Sequence, residues 1–225
     1  MKERIWEIDF IRVLAIALMI VGHFVFNLNF VLGVEVNFAS GFWYWYFKAW
    51  VLFIFISGIS TGFSRRVVQN AIKLLVVAVG ISIVTYFAVG EQYIRFGILH
   101  FLAVSMLLYL VLRRLNVWLL GFLAVGIALL TPIIRQTTVS TGLLLPLGFT
   151  YPGFTSLDYF PLFPHLLYYI LGIIAYKLYY YKGRSLFKFS LQSRIIEKIS
   201  RNSLVIYVLH QPVLFGLILL YKYLS

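Results

Sequence analysis

An apolar run early in the chain reads Glu7-Ile-Asp-Phe-Ile-Arg-Val-Leu-Ala-Ile-Ala-Leu-Met-Ile-Val-Gly-His-Phe-Val-Phe-Asn27. A helix needs about 20 residues to cross a bilayer, so this run is long enough. It is interrupted by the ionisable side chains of Asp9, Arg12 and His23. Such groups cost about 2.5–3.5 kcal/mol each inside a bilayer on insertion scales, and they usually face a cavity or a partner. We therefore expect this helix to be the first membrane span and part of a functional site.

These three side chains follow one stripe of the predicted helix. Asp9 and Arg12 are neighbours on one face because side chains three residues apart lie side by side, so they can pair. Arg12 and His23 are eleven residues apart, so their side chains point in directions that differ by only about 20° around the helix axis. The same spacing separates them by about 16 Å along that axis. The stripe would thus carry an ion pair near one membrane face and an imidazole deep in the bilayer. The alternative is structural: an interfacial pair that fixes the helix, and a core histidine bonded to a nearby carbonyl or hydroxyl.

The composition extends the membrane interpretation to the whole chain. Of the 225 residues, 62% are hydrophobic and 12% are charged, whereas a soluble domain needs far more charge to cover its surface. The chain is predicted to be an all-α polytopic membrane helix bundle, and residues 1–225 are expected to form a single domain. About seven transmembrane helices are predicted, at 8–31, 42–63, 68–89, 96–113, 116–134, 161–181 and 201–222.

The basic residues sort to one side of these helices. On the sparsely charged side lie only Lys48, Arg95, Arg135 and Lys222. The positive-inside rule then predicts a cytoplasmic N-terminus and an outside C-terminus. The net charge of +12 is therefore a topology signal, and we expect the lipid bilayer as partner, no nucleic acid, and a multi-pass protein of the plasma membrane. The basic loop 182–201 can also be a phosphate site, and its portion 194–199 is predicted to form a short surface helix.

The last predicted helix carries a second set of polar side chains. Ser203, Tyr207, His210 and Gln211 share one face at helical spacing. Pro212 removes a backbone donor from the same helix. Four polar groups on one face of a membrane helix are difficult to explain as packing, so the pattern favours a site.

The positions of the four histidines along their helices place them at similar depth. His23, His100 and His165 are predicted in the outer half of the bilayer, and His210 lies nearer the midplane. We expect one cavity lined by all four, with Asp158 at its mouth. Histidine is the usual general base near neutral pH and can also carry an acyl group. The histidine spacing is not that of a zinc motif, so no metal is expected.

Five motifs stand out along the chain. They are Glu7-Ile-Asp-Phe-Ile-Arg12 with His23, Phe55-Ile-Ser-Gly-Ile-Ser60, Gly97-Ile-Leu-His100, Asp158-Tyr-Phe-Pro-Leu-Phe-Pro164 and Asn202-Ser-Leu-Val-Ile-Tyr-Val-Leu-His-Gln-Pro212. Together they resemble the catalytic domain of heparan-α-glucosaminide N-acetyltransferase, above all its short prokaryotic members, essentially from end to end. The spacing from Arg12 to His23 is also similar to the arginine–histidine motif of acyltransferase-3 membrane proteins.

The resemblance implies transfer of an acyl group, typically acetyl from cytosolic acetyl-CoA, to an acceptor on the far side of the membrane. A sugar hydroxyl or amine is the acceptor that the family suggests. One departure matters, because the active histidine of the lysosomal enzyme lies near the start of its second helix. This chain reads Phe47-Lys-Ala-Trp50 there, so that role is not carried over. His23 takes its place, as in the acyltransferase-3 pattern.

We assign expected roles to three groups of residues. His23 activates the acceptor or transiently carries the acyl group, and His210 assists as second base or oxyanion donor. Asp9 orients Arg12, which binds a CoA phosphate; its distance from His23 of about 16 Å is comparable to the extended pantetheine arm. Further acyl-CoA-binding candidates are Arg65, Arg66, Arg113 and Arg114. Substrate-side candidates are His100, Asp158, His165, Gln211 and Tyr207.

Two other functions stay open at this point. The polar cavity can belong to a transporter or flippase, although the chain lacks the internal repeats with paired broken helices that are common in transporters. It can also belong to a non-catalytic relative that only binds acyl-CoA. The expected partners are acyl-CoA and a saccharide or other small acceptor, with a homodimer left open.

Overall fold

The structure is a computed structural model, and it describes residues 5–39 and 41–224. Its helices are α1 (Trp6–Leu32), α2 (Gly41–Tyr46), α3 (Trp50–Phe63), α4 (Val67–Val89), α5 (Ile98–Leu112), α6 (Val117–Gln136), α7 (Leu162–Ala175), α8 (Arg194–Arg201) and α9 (Ser203–Leu224). A 3₁₀ turn, Phe47–Ala49, joins α2 to α3, and a π-helical turn, Tyr176–Tyr180, extends α7. These elements confirm the predicted all-α class.

Among the described residues, six helical segments are long and apolar enough to cross a membrane. The seventh predicted segment, α5, has 15 residues and reaches about 22 Å, which is less than the hydrocarbon core of about 30 Å. All seven predicted helices are present, with every end within two residues of its predicted position. The polytopic helix bundle is therefore confirmed, and the cytoplasmic N-terminus with an outside C-terminus stays a prediction.

The chain divides into two compact units. Unit 1 comprises Met1–Ile56 with Lys182–Ser225, and unit 2 comprises Ser57–Tyr181. The single domain predicted over residues 1–225 stays a prediction.

In unit 1, α1 packs along α9 and against α8. The two long helices run in the same direction, because Arg12 contacts Ser200 just before α9, and Lys222 near the end of α9 bonds the carbonyl of Val31 at 3.0 Å. This pairing brings the polar stripe of α1 against the polar face of α9. It is the arrangement on which the candidate site depends.

The basic loop that precedes α8 is tied to the start of α1. Glu7 is buried, and its carboxylate accepts hydrogen bonds from the Leu186 N–H at 2.8 Å and the Ser185 hydroxyl at 3.0 Å. The Trp6 indole donates to the Phe189 carbonyl at 3.1 Å. A buried carboxylate needs such donors to offset its desolvation. The predicted surface helix at 194–199 is confirmed as α8.

In unit 2, α4 packs on α5, α6 on α7, and α5 on α7. The last part of α3 also approaches α7 closely, through two glycines. A side chain at Gly58 would collide with the Tyr169 carbonyl, and one at Gly62 with the Tyr176 ring. The Tyr169 hydroxyl donates to Thr61 at 2.8 Å across the same contact. Small residues four apart permit this close approach of two membrane helices.

Candidate functional site

One end of the α1 stripe is organised by Ser200, at the end of α8. The Ser200 hydroxyl donates to Asp9 Oδ1 at 2.6 Å and accepts from Arg12 Nη1 at 3.0 Å. Asp9 and Ser200 are buried, and Arg12 is partly exposed. A hydroxyl can donate and accept at once, so Ser200 links the carboxylate to the guanidinium. Sequence reasoning missed Ser200, since nothing in its local pattern marks it.

The imidazoles of His23 and His210 meet between α1 and α9. Their ring centroids are 4.8 Å apart and the rings are inclined by 71°. The structure therefore brings together two of the three residues predicted to be catalytic, and the third, Asp9, lies at the other end of the α1 stripe. Both helices are needed for this, because α1 supplies one ring and α9 the other.

The hydrogen bonds of the two rings determine where each proton lies. His23 Nδ1 is 2.9 Å from the Met19 carbonyl, and His210 Nδ1 faces the Tyr207 carbonyl. A carbonyl only accepts, so each Nδ1 is assigned the proton and each Nε2 the lone pair of a neutral imidazole. The Nε2 atom of His210 is buried and has no hydrogen-bond partner among the described residues. Such an atom in a native fold requires an explanation, and a catalytic role is one.

Two amide side chains adjoin the histidine pair. Gln211 Nε2 donates to Asn27 Oδ1 at 2.9 Å, and Asn27 is 1% exposed. The centroids of the Tyr207 and His210 rings are 5.5 Å apart. The predicted polar face of α9 therefore meets α1. Asn27 was missed, although its spacing of four residues from His23 places it on the same helical face.

The arginines predicted to bind acyl-CoA lie at two turns of unit 2. Arg65 and Arg66 connect α3 to α4, Arg113 and Arg114 connect α5 to α6, and all four residues are exposed. Both turns adjoin the π-helical turn after α7. Lys177 in that turn donates to the carbonyls of Arg113 at 2.8 Å and Leu115 at 2.5 Å, and Tyr176 packs on Phe63 with ring centroids 4.9 Å apart. Arg12 belongs to unit 1, whereas these four arginines belong to unit 2. A phosphate site formed by Arg12 together with them therefore stays a prediction.

Asp158 anchors the loop between α6 and α7 to the start of α5. Its Oδ2 accepts from the Ile98 N–H at 3.0 Å and occupies the space that a side chain at Gly97 would take. Burial raises the pKa of this carboxyl to about 6. His100 lies one turn further along, with Nε2 3.4 Å from the Ser82 hydroxyl. The contacts of Asp158 therefore join the aspartate motif to the glycine of the Gly97–His100 motif.

His165 lines a separate cavity of unit 2, of about 220 Å³, whose polar lining also includes Arg135, Thr150 and Tyr159. The cavity predicted for all four histidines stays a prediction, since His23 and His210 belong to unit 1 and the other two to unit 2. Within residues 5–39 and 41–224, no group of three or more His, Cys, Asp or Glu side chains is arranged to hold a metal ion.

Comparison with known protein families agrees with this architecture. A family model described as heparan-alpha-glucosaminide N-acetyltransferase, catalytic, matches residues 4–212. The matched range includes the α1 stripe and runs into α9 as far as Pro212. Comparison with curated proteins and with solved structures found no match. Since the family model spans most of the chain, the resemblance seen in the motifs is confirmed, and the chain belongs to the heparan-alpha-glucosaminide N-acetyltransferase catalytic family of membrane proteins.

Proposed function

We propose that the chain is a membrane acyltransferase of the plasma membrane. It would move an acyl group, to be tested as acetyl, from cytosolic acyl-CoA to a sugar hydroxyl or amine on the outer side. Family membership supports acetyl transfer. The observation that carries the catalytic assignment is the buried Nε2 of His210, without a partner among the described residues and next to the His23 ring.

The proposed chemistry uses the lone pair of a neutral imidazole. In the first route, His23 Nε2 removes a proton from the acceptor as its oxygen or nitrogen attacks the thioester carbonyl carbon. The new C–O or C–N bond forms, the C–S bond breaks, and the thiolate of CoA takes the proton from the imidazolium. In the second route, His23 Nε2 itself attacks the carbonyl carbon, the C–S bond breaks, CoA leaves as a thiolate, and an acyl-imidazolium carries the acyl group. The acceptor then attacks the same carbon, the N–C bond to His23 breaks, and the acceptor's proton passes to the thiolate of CoA.

His210 acts in this proposal as the second base. Its Nδ1 proton faces the Tyr207 carbonyl, so the neutral ring presents a lone pair at Nε2. His210 can donate a hydrogen bond to an oxyanion only after its Nε2 has gained a proton, for example from the acceptor. Tyr207 and Gln211 adjoin this ring and are proposed to face the substrate, together with His100, Asp158 and His165.

The donor side of the proposal rests on cations. Arg12 is held by Ser200 at 3.0 Å and lies about 16 Å along α1 from His23. Asp9, through the same hydroxyl, is a positioning residue for Arg12. Guanidinium groups bind phosphate oxygens in a fixed bidentate geometry, which also suits the exposed Arg65, Arg66, Arg113 and Arg114. The single domain remains part of this proposal, and a homodimer stays open.

Release of CoA from acetyl-CoA is a direct test, because the chain contains no cysteine. A thiol reagent added to the purified protein with glucosamine as acceptor therefore reports the thiol of CoA without a protein background. We expect His23→Ala to lower the rate by about 10²–10⁴-fold, the usual contribution of a general acid or base. The matched control is Val21→Ala, a change at a side chain of α1 that is 46% exposed.

The outcomes separate the proposed function from its alternatives. An unchanged rate in His23→Ala would reject the role of His23, and an acetyl group found on the His23 peptide would select the second route. Solute uptake into proteoliposomes in the absence of acyl-CoA would favour a transporter. Binding of CoA without thioester cleavage for any acceptor would identify a non-catalytic relative.

A further inference from the structure

Unit 2 contains a polar cavity that is not part of the acyl-CoA site of the proposed function. It has a volume of about 220 Å³ and lies between the end of α6, the following loop and the start of α7. Its polar lining is formed by Arg135, Thr150, Tyr159 and His165. The charge pattern assigns this end of the helices to the outer side of the membrane.

Two hydrogen-bond donors of this cavity are available to a ligand. The exposed Arg135 guanidinium and the Thr150 hydroxyl have no hydrogen-bond or ion-pair partner in the part of the chain that the structure describes. The other polar groups are already engaged: the Tyr159 hydroxyl donates to the Leu145 carbonyl at 2.8 Å, and His165 Nδ1 lies 2.7 Å from the Pro161 carbonyl. No carboxylate belongs to the described lining. Within its described lining, the cavity therefore presents a positive charge without an acidic side chain and a hydroxyl without a hydrogen-bond partner.

The walls of the cavity are held in place by the backbone. The Val139 N–H donates to the Thr150 carbonyl at 2.9 Å, and the Leu162 N–H donates to the Pro146 carbonyl at 2.8 Å. Gly148 has a φ of 121°, and a side chain there would lie 3.1 Å from the Phe163 carbonyl. Glycine is needed both for this φ and for the close approach. Since the backbone around the cavity is fixed before a ligand arrives, binding costs less ordering entropy there.

We propose that this cavity binds a compact oxyanion, with Arg135 supplying the charge and Thr150 a hydroxyl donor. A guanidinium binds carboxylate and phosphate oxygens through two parallel hydrogen bonds. The volume lies below the range of about 300–1,000 Å³ for pockets that enclose drug-sized ligands. The site therefore takes the anionic group and the few atoms next to it. The anion has two sources, a soluble molecule on the outer side or the headgroup phosphate of a lipid.

Protection of Arg135 against phenylglyoxal, a reagent for arginine side chains, tests the site without measuring acyl transfer. The full chain in neutral detergent is treated with increasing inorganic phosphate at constant ionic strength, and modification is measured by peptide mass spectrometry. We expect saturable protection at Arg135 and none at Arg184 and Arg194, two exposed arginines of the basic loop and α8. Equal rates at all three residues, with and without phosphate, would overturn the proposal.

A second variant tests the hydroxyl donor, and a second medium identifies the source of the anion. Thr150→Val should raise the phosphate concentration for half-protection several-fold, whereas Thr155→Val, at an exposed loop residue, should leave it unchanged. Equal half-protection in both variants would overturn the assigned pair of donors. Protection in phosphatidylglycerol nanodiscs without added phosphate would identify a lipid headgroup. Protection there only after phosphate is added would identify a soluble anion.

Discussion

The His23 ring in α1 lies nearly edge-on to the His210 ring in α9, with 4.8 Å between ring centroids and 71° between planes. Each Nδ1 faces a carbonyl of its own helix. Both rings are therefore held in one orientation and one tautomer, and the Nε2 lone pair of His210 is buried without a partner among the described residues. Fixed orientation of a reactive group before the substrate binds is the preorganisation that a catalytic base or nucleophile requires.

Replacing His210 by Asn separates the structural from the chemical role of its ring. The Asn amide can donate to the Tyr207 carbonyl as Nδ1–H does, but it has no basic atom at the position of Nε2. We expect a folded protein of nearly parental thermal stability whose release of CoA from acetyl-CoA is slower by about 10²–10⁴-fold. Leu209→Ala, at a side chain 53% exposed on the same helix, is the control. Parental turnover in His210→Asn would contradict the proposed base.

Loss of the Ser200 hydroxyl should destabilise unit 1. Ser200→Ala removes a donor from the buried Asp9 carboxylate and an acceptor from Arg12. A hydrogen bond to a charged group contributes about 1.5–3 kcal/mol, so the free energy of unfolding should fall by that amount in a mixed-micelle denaturation. Ser190→Ala, in the exposed part of the basic loop, should change it little. Equal stability of the two variants would show that the bridge contributes nothing measurable.

The raised pKa of Asp158 predicts a dependence of stability on pH. Burial raises this pKa from 3.8 to about 6, so the folded state holds the proton more tightly than the unfolded state does. The contribution of Asp158 to stability is therefore full below pH 3.8 and is lost as the pH rises through about 6. Asp158→Asn keeps an acceptor for the Ile98 N–H and cannot titrate. Its thermal unfolding should depend less on pH in this window than that of the parent, and identical profiles would refute the prediction.

Close packing of α3 on α7 predicts opposite effects for two glycine substitutions. A Cβ at Gly58 would collide with the Tyr169 carbonyl, whereas a Cβ at Gly80 in α4 meets nothing within 4 Å. Gly58→Ala should lower the free energy of unfolding by about 1–3 kcal/mol through overpacking. Gly80→Ala should raise it by up to about 1 kcal/mol, the difference in helix propensity. Destabilisation of equal size in both variants would argue against the α3–α7 contact.

The helices could be predicted closely because each depends on a local property. An apolar run of sufficient length must satisfy its backbone hydrogen bonds internally within the bilayer, so it forms a helix wherever it occurs. This applies even to α5, which is shorter than a typical span, and the basic segment that forms α8 was also recognised. The family resemblance depended on motifs within these helices or directly before them.

The candidate site was predicted in part. Asp9, Arg12, His23 and His210 were recognised because a charged or imidazole side chain inside an apolar helix is costly and therefore conspicuous. Ser200, Thr150 and Arg135 were not among the predicted site residues, since a serine, a threonine or an arginine at a helix end or in a loop is common and has no local pattern that marks a site. The roles proposed for the predicted residues remain to be tested by the variants above.

Hydropathy and the distribution of charge, which belong to each residue and its near neighbours, were enough to predict the class of this protein and the positions of its helices, and short sequence motifs indicated its family. The partners of its polar groups were decided by tertiary packing. Arg12 and Ser200 are 188 residues apart, and they meet because the parallel contact of α1 with α9 also brings in the end of α8. Rotation and register of packed helices depend on all the side chains along the contact, and these select the histidine pair and the serine bridge.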